Sequence, residues 1–424
     1  MTADQVRGGS WDVVVIGGGP SGSTAAALTA QMGRRVLLVD REQFPRFRIG
    51  ESLMPATYWT FERLGFLERM KASPFPRKHS VQFFGNDGRT GVPFYFSEVD
   101  PHESSVTWQV DRARFDRMLL DHAQSSGVEV RENTNVREIL FDGERAIGLR
   151  LETAGGEPYE VKAQVIVDAS GQTSLFARRF HLRRVDPVLR HGAVFTRFRG
   201  AIRDPGIDGG ATLVLRTRTP GCWFWYIPLP DDEVSVGVVG PIGDLVSRGG
   251  DLQQILDEEI ALCPALVPRV APAEQTREVM MVRDFSYVST AIAGQGWVLV
   301  GDAFGFLDPI YSTGVLLGLN SAEMAADSID DAFRRGDFSG RVLGRHGERY
   351  LAGMETMRKL VYVYYAPEFH FGQFLRRHPD CRMALVHLLT GNVFRKPIDG
   401  LFDAMSEFCT LPEARRLDPA GTDA

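Results

Sequence analysis

Three glycines near the amino terminus have the spacing of a phosphate-binding turn. Gly17, Gly19 and Gly22 form the pattern GxGxxG around Ser21, and Asp40 ends the segment "RVLLVD" that follows. Glycines in this pattern allow a tight turn and let a pyrophosphate approach the amino end of a helix, where unpaired N–H groups favour an anion. A carboxylate about 20 residues farther on can accept hydrogen bonds from ribose hydroxyls. The spacing predicts a dinucleotide site; the alternative is a glycine turn with a structural role alone.

The elements that must position this turn follow from the surrounding sequence. The apolar residues 12–16 predict a buried parallel strand, and the small residues 21–32 predict a helix that packs tightly on it. "RVLLVD" predicts a second buried strand, which completes a βαβ unit. Residues 164–171 and 296–329 predict a return of the chain to the same sheet, the latter as a strand, a turn, a loop and a long helix.

A run of four aromatic residues lies in a different kind of pattern. Residues 190–240 alternate apolar and polar side chains between turn residues, which predicts an antiparallel sheet with one buried face. Within it, Trp223 and Trp225 share one face of a strand, and Phe224 and Tyr226 share the other. Composition leaves two interpretations open: an ordinary covered strand, or a wall beside a reactive site.

Composition and charge exclude several classes of function. The 424 residues carry 48 basic and 54 acidic side chains, a net charge of −6, so nucleic acid is not the expected partner. Four cysteines without CxxC spacing argue against a metal site or a disulfide framework and fit a reducing cytoplasm. The polar amino terminus lacks the pattern of a signal peptide, and no apolar run reaches the roughly 20 residues of a membrane span. We expect a soluble cytoplasmic protein with no metal and no membrane attachment.

Three segments together resemble the FAD-binding fold of the aromatic-hydroxylase class, which is glutathione-reductase-like. They are the GxGxxG turn, the Asp-Ala-Ser-Gly run that begins at Asp168, and the pair Gly301-Asp302. The resemblance implies that the helix start holds the FAD pyrophosphate, Asp40 the adenosine ribose and Asp302 the ribityl chain. The full set of implied FAD contacts is Gly17, Gly19, Ser21, Gly22, Asp40, Arg48, Glu51, Ser52, Arg112, Asp168, Gly301, Asp302 and Pro309. Nothing marks a second nucleotide site for NAD(P)H.

Three further motifs are similar to those of the flavin-dependent halogenases. "WFWYIP" (223–228) matches their WxWxIP motif, and "FLDPIYSTG" (306–314) matches a pattern beside their flavin. "FPRKHSVQFFG" (75–85) puts Lys78 where these enzymes keep an essential lysine. The resemblance covers residues 11 to about 405, and on these motifs the chain is identified as a member of that family.

The resemblance implies a chemistry and a role for each motif. Members of the family use FADH2, O2 and chloride or bromide to make hypohalous acid, which travels through the protein to the substrate. Thr313 and Gly314 would bind the halide, and Lys78 would aim the electrophile at a ring carbon, by hydrogen bonding or as a transient haloamine. Trp223 and Trp225 would separate the flavin from the substrate. No residue is identified as the base that removes a proton from the ring.

The resemblance also narrows the substrate and the partners. Tyr311 stands where tryptophan halogenases carry a glutamate that positions their substrate, which speaks against free tryptophan. The chain resembles halogenases of phenols and pyrroles, including those that act on groups tethered to carrier proteins. A separate flavin reductase would supply FADH2. The alternatives are an FAD-dependent aromatic hydroxylase or prenyl reductase on the same scaffold, and a non-catalytic FAD-binding homologue.

The predicted fold class is α/β, a Rossmann-like FAD-binding domain with an inserted antiparallel sheet and a helical carboxy-terminal region. The predicted domains are an FAD-binding domain (1–75, 110–180 and 285–330), a substrate-binding sheet domain (76–109 and 181–284), a helical region (331–412) and a polar tail (413–424). Three local alternatives stay open. In the first alternative, Lys78 is a solvated turn lysine rather than a catalytic one. In the second, Glu51 and Ser52 cap a helix and do not contact FAD. In the third, the aromatic face of residues 362–374 is core rather than a lid.

Overall fold

The computed structural model describes residues 8–247, 251–283, 285–394 and 400–418. The strands within these residues are β1 (Gly9–Ile16), β2 (Val36–Val39), β3 (Arg77–Lys78), β4 (Ser80–Phe84), β5 (Phe94–Tyr95), β6 (Thr107–Trp108), β7 (Glu129–Arg131), β8 (Thr134–Asp142), β9 (Arg145–Thr153), β10 (Tyr159–Asp168), β11 (Arg183–Val185), β12 (His191–Arg199), β13 (Thr212–Arg216), β14 (Trp223–Pro228), β15 (Glu233–Pro241), β16 (Glu274–Gln275), β17 (Met280–Arg283), β18 (Tyr287–Ser289), β19 (Ala293–Gly294), β20 (Trp297–Leu299) and β21 (Gly305–Phe306).

The helices in the same part of the chain are α1 (Pro20–Gln31), α2 (Thr57–Leu64), α3 (Leu67–Lys71), α4 (Arg112–Ser125), α5 (Leu175–Arg179), α6 (Ile242–Ser247), α7 (Leu252–Ala261), α8 (Val267–Val270), α9 (Thr313–Arg335), α10 (Gly340–Leu343), α11 (Gly347–Tyr365), α12 (Phe371–Arg377), α13 (Cys381–Leu389) and α14 (Leu401–Ser406). Among them, no helix is both long enough and apolar enough to cross a membrane. All four cysteines are buried, and none of them forms a disulfide in the part of the chain that the structure describes.

The first sheet is built on the predicted βαβ unit. Its strand order is β19-β20-β10-β1-β2-β7, with β9 and β8 added beside β10, and β1 runs parallel to both β10 and β2. Strand β1 is central, so its residues 13–16 are buried and apolar on both faces. The expected strand at 12–16 and the return of residues 164–171 to this sheet are confirmed.

Helix α1 packs on this sheet and against the long helix α9. Its buried face is made of small residues, among them three consecutive alanines at 25–27, which lets the helix lie close to the strands. Helix α9 carries the chain from the loop after β20 along α1. The long helix expected within 296–329 is therefore present, and it ends at Arg335 before Gly336 in the left-handed conformation.

The second sheet has the order β16-β12-β15-β14-β13-β4-β5, with β17 also paired to β12. Neighbouring strands are antiparallel except β13 and β4, which are parallel. Strand β14 is buried throughout and alternates as predicted. Trp223 and Trp225 belong to the core shared with the first sheet, whereas Phe224 and Tyr226 belong to a separate core on the other face.

The carboxy-terminal helices cover one side of the molecule. Helix α11 presents Tyr364 and Tyr365 to strand β14, while its Tyr362 hydroxyl donates to Asp186 Oδ1 at 2.7 Å. Residues 413–418 have no regular secondary structure, and the Asp418 N–H donates to Thr290 O at 2.7 Å. The remainder of the expected polar tail, residues 419–424, lies outside the described residues. The domain boundaries stay a prediction.

Candidate active site

The GxGxxG turn leaves no room for side chains at two of its positions. Gly17 has φ +104°, and a Cβ there would lie 2.4 Å from Ala169 O. A Cβ on Gly22 would lie 1.9 Å from Gly17 O. The turn is thereby pressed against the end of β10, and α1 begins at Pro20 with Gly19 as an N-cap that has no side-chain cap. The first N–H groups of α1 stay available to an anion.

Asp40 closes the turn from the end of β2. Its Oδ2 accepts from the Gly18 N–H at 2.7 Å and its Oδ1 from the Glu42 N–H at 2.9 Å. The carboxylate thus stands beside the turn, at the place expected for a ribose contact. On the other side, the Ser21 hydroxyl is enclosed by two glycines, because a Cβ on Gly301 or on Gly318 would come within 2.3 or 2.4 Å of Ser21 Oγ.

Two arginines predicted to contact the cofactor differ in their surroundings. Arg112 is buried, and its Nε and Nη2 donate to the two oxygens of Asp116 at 2.8 and 3.0 Å. Its Nη1 donates to Ile49 O at 2.7 Å, which ties α4 to the segment that precedes Glu51. Arg48 is partly exposed and forms an ion pair with Glu42. Arg112 therefore orders the loop, whereas Arg48 is held by Glu42 and by Phe47 O, and the contact of either arginine with FAD stays a prediction.

Two aspartates, one at the end of β10 and one after β20, have raised pKa values, and Asp168 is fully buried whereas Asp302 is half-buried. Burial raises the pKa of Asp302 to about 6, and the charge of Arg112 opposes the rise. Burial likewise raises the pKa of Asp168, whose oxygens accept from the N–H groups of Ser170 and Phe176 at 3.0 and 2.9 Å. Asp168 thus organises the turn after β10, and its direct contact with the cofactor stays a prediction.

The loop from β21 to α9 ends in an open helix start. Pro309 begins a 3₁₀ turn, Ser312 has φ +58°, and α9 begins at Thr313 with no side-chain cap. A Cβ on Gly314 would lie 2.8 Å from the Phe306 ring, so this ring covers the first turn of the helix. The arrangement offers N–H groups in a largely buried place, as the predicted halide site requires.

Lys78 is buried, which excludes the interpretation as a solvated turn lysine. Its side chain is 3 % exposed, and burial lowers its pKa to about 7. The Nζ donates to Ser52 Oγ at 2.8 Å and to Leu53 O at 3.0 Å, and it lies 5.5 Å from the centre of the Phe96 ring. Ser52 in turn lies 2.7 Å from Thr212 Oγ1. Ser52 therefore contacts the lysine; its contact with FAD stays a prediction.

Glu51, the neighbour of Ser52, belongs to a buried ionic cluster rather than to a helix cap. Its Oε1 accepts from Arg197 at 2.5 Å, and Arg197 also bonds Asp111 at 2.8 Å and Glu233 at 3.2 Å. Burial raises the pKa of Glu51, and the charge of Arg197 opposes this. Arg197 is not among the residues predicted from the sequence, since nothing in the spacing of β12 distinguishes it from other strand residues.

The two tryptophans of β14 have different partners. Trp225 packs beside Phe195 at 5.7 Å between ring centres, Phe195 stacks on Phe47 at 6.5 Å, and Trp225 Nε1 donates to Ser235 Oγ at 3.1 Å. The Trp225 side of the strand thus faces the segment that leads to Glu51.

Trp223 instead faces helix α11. Its Nε1 donates to Tyr365 Oη at 2.8 Å, and its ring lies edge-on to Tyr364 at 6.2 Å. Tyr364 is also 6.2 Å from Tyr311 and 6.5 Å from Phe83. We call Phe83, Tyr311, Tyr364 and Trp223 the aromatic cluster. Neither Phe83 nor the contact of α11 with β14 is predicted from the sequence, although the aromatic face of α11 was a signal.

The residues present fit FAD. Two glycines whose Cβ atoms would collide with backbone, an uncapped helix start and Asp40 form a cradle at the carboxyl ends of β1 and β2. Asp302 places a second carboxylate after β20, two strands from β1 in the same sheet. In the part of the chain that the structure describes, no cluster of three or more His, Cys, Asp or Glu side chains could hold a metal ion.

Comparisons with known proteins agree with this site. Residues 10–330 match the family model described as "FAD binding domain". The chain is 30% identical to the 1H-pyrrole-2-carbonyl-(peptidyl-carrier protein) chlorinase of Pseudomonas fluorescens, over 95% of this chain and 94% of that protein. It is 30% identical to the corresponding brominase of Pseudoalteromonas luteoviolacea, over 91% and 93%.

Solved structures give the same result. The fold is similar to that of the myxobacterial chondrochloren halogenase CndH, with a TM-score of 0.78 and 32% identity over 94% of this chain and 95% of that one. It is also similar to the flavin-dependent brominase Bmp2, with a TM-score of 0.83 and 30% identity over 94% and 99%. The predicted fold class, cofactor and family are confirmed. The chain belongs to the flavin-dependent halogenases, oxidoreductases that bind FAD and use chloride or bromide.

Proposed function

We propose that the protein halogenates an electron-rich aromatic ring, phenolic or pyrrolic, with hypohalous acid that Lys78 directs. The observation that carries the proposal is the state of Lys78. A buried amine with a pKa of about 7, fixed by Ser52 and Leu53, is prepared to meet a small oxidant in a water-poor site.

The stoichiometry defines what the protein must handle. When bound, reduced FAD supplies two electrons, so that FADH2, O2, a halide ion and a proton give FAD, hypohalous acid and water. The ring then exchanges one hydrogen for the halogen and releases a second water. The uncapped start of α9 at Thr313 and Gly314 would hold the halide, and Gly17, Gly22, Asp40 and Asp302 would hold FAD.

Lys78 has one bonding direction left after its two anchors. The ammonium form has three N–H groups, of which Ser52 Oγ and Leu53 O accept two. The third N–H can donate to the oxygen of hypohalous acid and make its halogen more electrophilic. The neutral amine, present at neutral pH because the pKa is about 7, offers a lone pair that can take the halogen as a haloamine.

Trp223 and Trp225 would form the partition between the flavin and the substrate. They lie on one face of β14, with Trp225 toward Phe195 and Phe47 and Trp223 toward Tyr364. Two indole rings in that place would keep a bulky substrate from direct contact with the flavin. Only a small oxidant would pass.

The aromatic cluster suits a flat, electron-rich ring. Its four side chains carry no charge, and the buried Tyr364 hydroxyl has no hydrogen-bond partner among the described residues. This hydroxyl can donate to a carbonyl or phenolic oxygen of a bound substrate. Tyr311 adds an apolar ring where a carboxylate would be needed to hold an amino-acid ammonium.

The relatives suggest the first substrates to test and the partners. Two relatives are named for pyrrole-2-carbonyl groups on peptidyl-carrier proteins, so a carrier-bound pyrrole is the first candidate and free phenols are the second. A separate flavin reductase would supply FADH2. We place the protein in the cytoplasm, where four buried cysteine thiols stay reduced.

One assay tests the proposal. The protein is incubated with FAD, a flavin reductase, NADH, O2 and chloride or bromide, with pyrroles and phenols supplied free and carrier-bound. Products are identified by mass. We expect halide-dependent product from at least one ring class, and a loss of about 100-fold or more in Lys78→Met with FAD binding retained. Hydroxylated product without halide dependence, or full halogenation by Lys78→Met, contradicts the proposal.

A further inference from the structure

Two segments of the protein hold Lys78 in place, strand β6 and the segment that contains Ser52. Strand β3 pairs with β6, so that Lys78 lies opposite Thr107. The segment that contains Ser52 runs along the chain just after β6, because Leu53 N donates to Trp108 O at 3.1 Å and Val110 N donates to Glu51 O at 2.7 Å. The lysine side chain therefore crosses a narrow, ordered gap to reach its two acceptors.

A chain of hydrogen bonds continues from Ser52 away from the lysine. Ser52 Oγ lies 2.7 Å from Thr212 Oγ1, and Gln109 Nε2 donates to the same Thr212 oxygen at 2.8 Å. An amide nitrogen donates only, so Thr212 accepts from Gln109 and keeps its own hydrogen for Ser52. The four hydrogen-bonded side chains, those of Lys78, Ser52, Thr212 and Gln109, are all buried.

The far end of the chain is fixed by backbone. Gln109 Nε2 also donates to Gly210 O at 3.0 Å, which sets the orientation of the amide. A Cβ on Gly210 would lie 1.9 Å from Arg77 O, so the 210–212 segment is packed against the backbone of the residue that precedes Lys78. Arg77 itself turns away and lies over the Trp108 ring at 5.0 Å.

We propose that Thr212 and Gln109 are positioning residues, which act through Ser52 to hold the Lys78 nitrogen in one orientation for halogen transfer. The inference rests on the proposed function of Lys78. Thr212 fixes the rotamer of Ser52, and Ser52 then serves as a stationary acceptor for one lysine N–H. With two N–H directions taken, the remaining bonding direction of the nitrogen points to a single place, where the oxidant is met.

Removal of the Thr212 hydroxyl tests this directly. Thr212→Val preserves the shape of the side chain and removes the hydroxyl that links the Gln109 and Ser52 side chains, while the β-bridge between their backbones remains. Ser52 can then rotate, and Lys78 keeps only Leu53 O as a fixed partner. We expect kcat to fall about 10- to 100-fold, with KM for the ring substrate and FAD binding unchanged. Thr212→Ser, which restores a hydroxyl, should regain most of the rate.

The pH profile supplies a readout that a purely structural role would not move. Burial, rather than a neighbouring charge, lowers the pKa of Lys78, and the flanking His79 also has a pKa lowered mainly by burial. Loss of an acceptor destabilises the ammonium further. The part of the pH dependence of kcat that comes from Lys78 is identified by its loss in Lys78→Met. In Thr212→Val this part should therefore move to lower pH.

The matched control is Thr196→Val. Thr196 is equally buried, lies on β12 of the same sheet, and donates its hydroxyl to Arg277 O at 2.7 Å. Its rate and pH profile should match those of the wild type. If Thr212→Val has the wild-type kcat and pH profile while Lys78→Met is inactive, the positioning role alone is overturned. The same holds if Thr212→Val is slower but its pH profile has not shifted. An active Lys78→Met overturns the proposed function and this role together.

Discussion

Trp223 Nε1 donates to Tyr365 Oη at 2.8 Å, and the same hydroxyl lies 3.0 to 3.1 Å from both oxygens of Asp308. Since an indole N–H only donates, Tyr365 accepts from Trp223 and gives its own hydrogen to Asp308. His191 completes the arrangement: its ring stacks on Tyr365 at 4.2 Å, and its Nδ1 bonds Asp308 at 3.0 Å. One tyrosine of α11 thus joins the proposed partition to the loop that leads to the halide site.

The first prediction concerns this tyrosine. Tyr365→Phe keeps the ring stacked on His191 but removes the bond to Trp223 and leaves Asp308 with one donor fewer. Trp223 should become mobile, and the partition should then separate the flavin from the substrate less completely. We expect a two- to fivefold rise in the ratio of NADH consumed to product formed, with FAD affinity retained and the free energy of unfolding lowered by about 1–2 kcal/mol. The measurement pairs NADH absorbance with product mass.

Tyr362→Phe is the control for this prediction. Tyr362 lies on the same helix and loses an equivalent hydroxyl bond, that to Asp186 at 2.7 Å, but neither residue takes part in the hydrogen bonds among Trp223, Tyr365 and Asp308. It should lose a similar amount of stability and keep the wild-type ratio. Equal ratios in the two variants would show that Tyr365 contributes to stability alone.

The second prediction uses the enclosed hydroxyl of Ser21. Gly318→Ala adds a methyl group that would lie 2.4 Å from Ser21 Oγ. The hydroxyl should be pushed toward the phosphate turn, with a loss of about 10-fold in FAD affinity. In Ser21→Ala/Gly318→Ala the nearest atom becomes the Ser21 Cβ position, at 3.7 Å, so FAD affinity should return to that of Ser21→Ala alone. A double-mutant cycle by flavin fluorescence should give a coupling of roughly 1–2 kcal/mol.

Much of the nucleotide half could be predicted from sequence because its signals are local. The strand expected at 12–16 is the buried end of β1, and the helix expected at 21–32 differs by one residue at each end from Pro20–Gln31. The alternation of Trp223 and Phe224 between two cores follows from the period of a strand. Each of these features depends on neighbours in the chain.

The contacts that assemble the site could not be predicted, because they join residues distant in sequence. Lys78 meets Ser52 across 26 positions, and Trp223 meets Tyr365 across 142. Nothing in "FPRKHS" indicates that its lysine is buried, since the surrounding arginine and histidine are typical of a surface turn. Burial is decided by the packing of β3 between two other segments, which is a property of the fold.

The third prediction concerns Asp302, whose pKa is raised to about 6 by burial. Between pH 4 and 6 the folded state binds more protons than the unfolded state, so folding stability falls as pH rises, and the full cost is present above pH 6. Asp302→Asn removes a cost of about 3 kcal/mol at pH 7. Without FAD, the variant should be more stable than the wild type at pH 7, and this difference should be smaller at pH 4. The affinity of the variant for FAD should fall roughly 10-fold. A constant difference in unfolding free energy across this range would contradict the raised pKa.

The fourth prediction concerns the charge of Lys78. Burial lowers its pKa from 10.5 to about 7, so between these values the unfolded state binds a proton that the folded state does not. Folding stability of the wild type must therefore rise with pH across this window, by up to about 1.4 kcal/mol per pH unit from this group. Lys78→Met lacks this dependence. Its stability relative to the wild type should be greatest at pH 7 and below, and should decline toward pH 10.

Urea unfolding of both proteins at pH 6, 7, 8, 9 and 10 measures this difference. Loss of the bonds to Ser52 and Leu53 shifts the variant by a constant amount, so the slope of the difference reports the lysine alone. Lys359→Met serves as the control, because its ammonium lies 5.5 Å from the Phe402 ring on α14, away from β3. Parallel curves for the wild type and Lys78→Met would mean that Lys78 keeps its ordinary pKa, and the neutral amine would then be too rare at pH 7 to carry halogen.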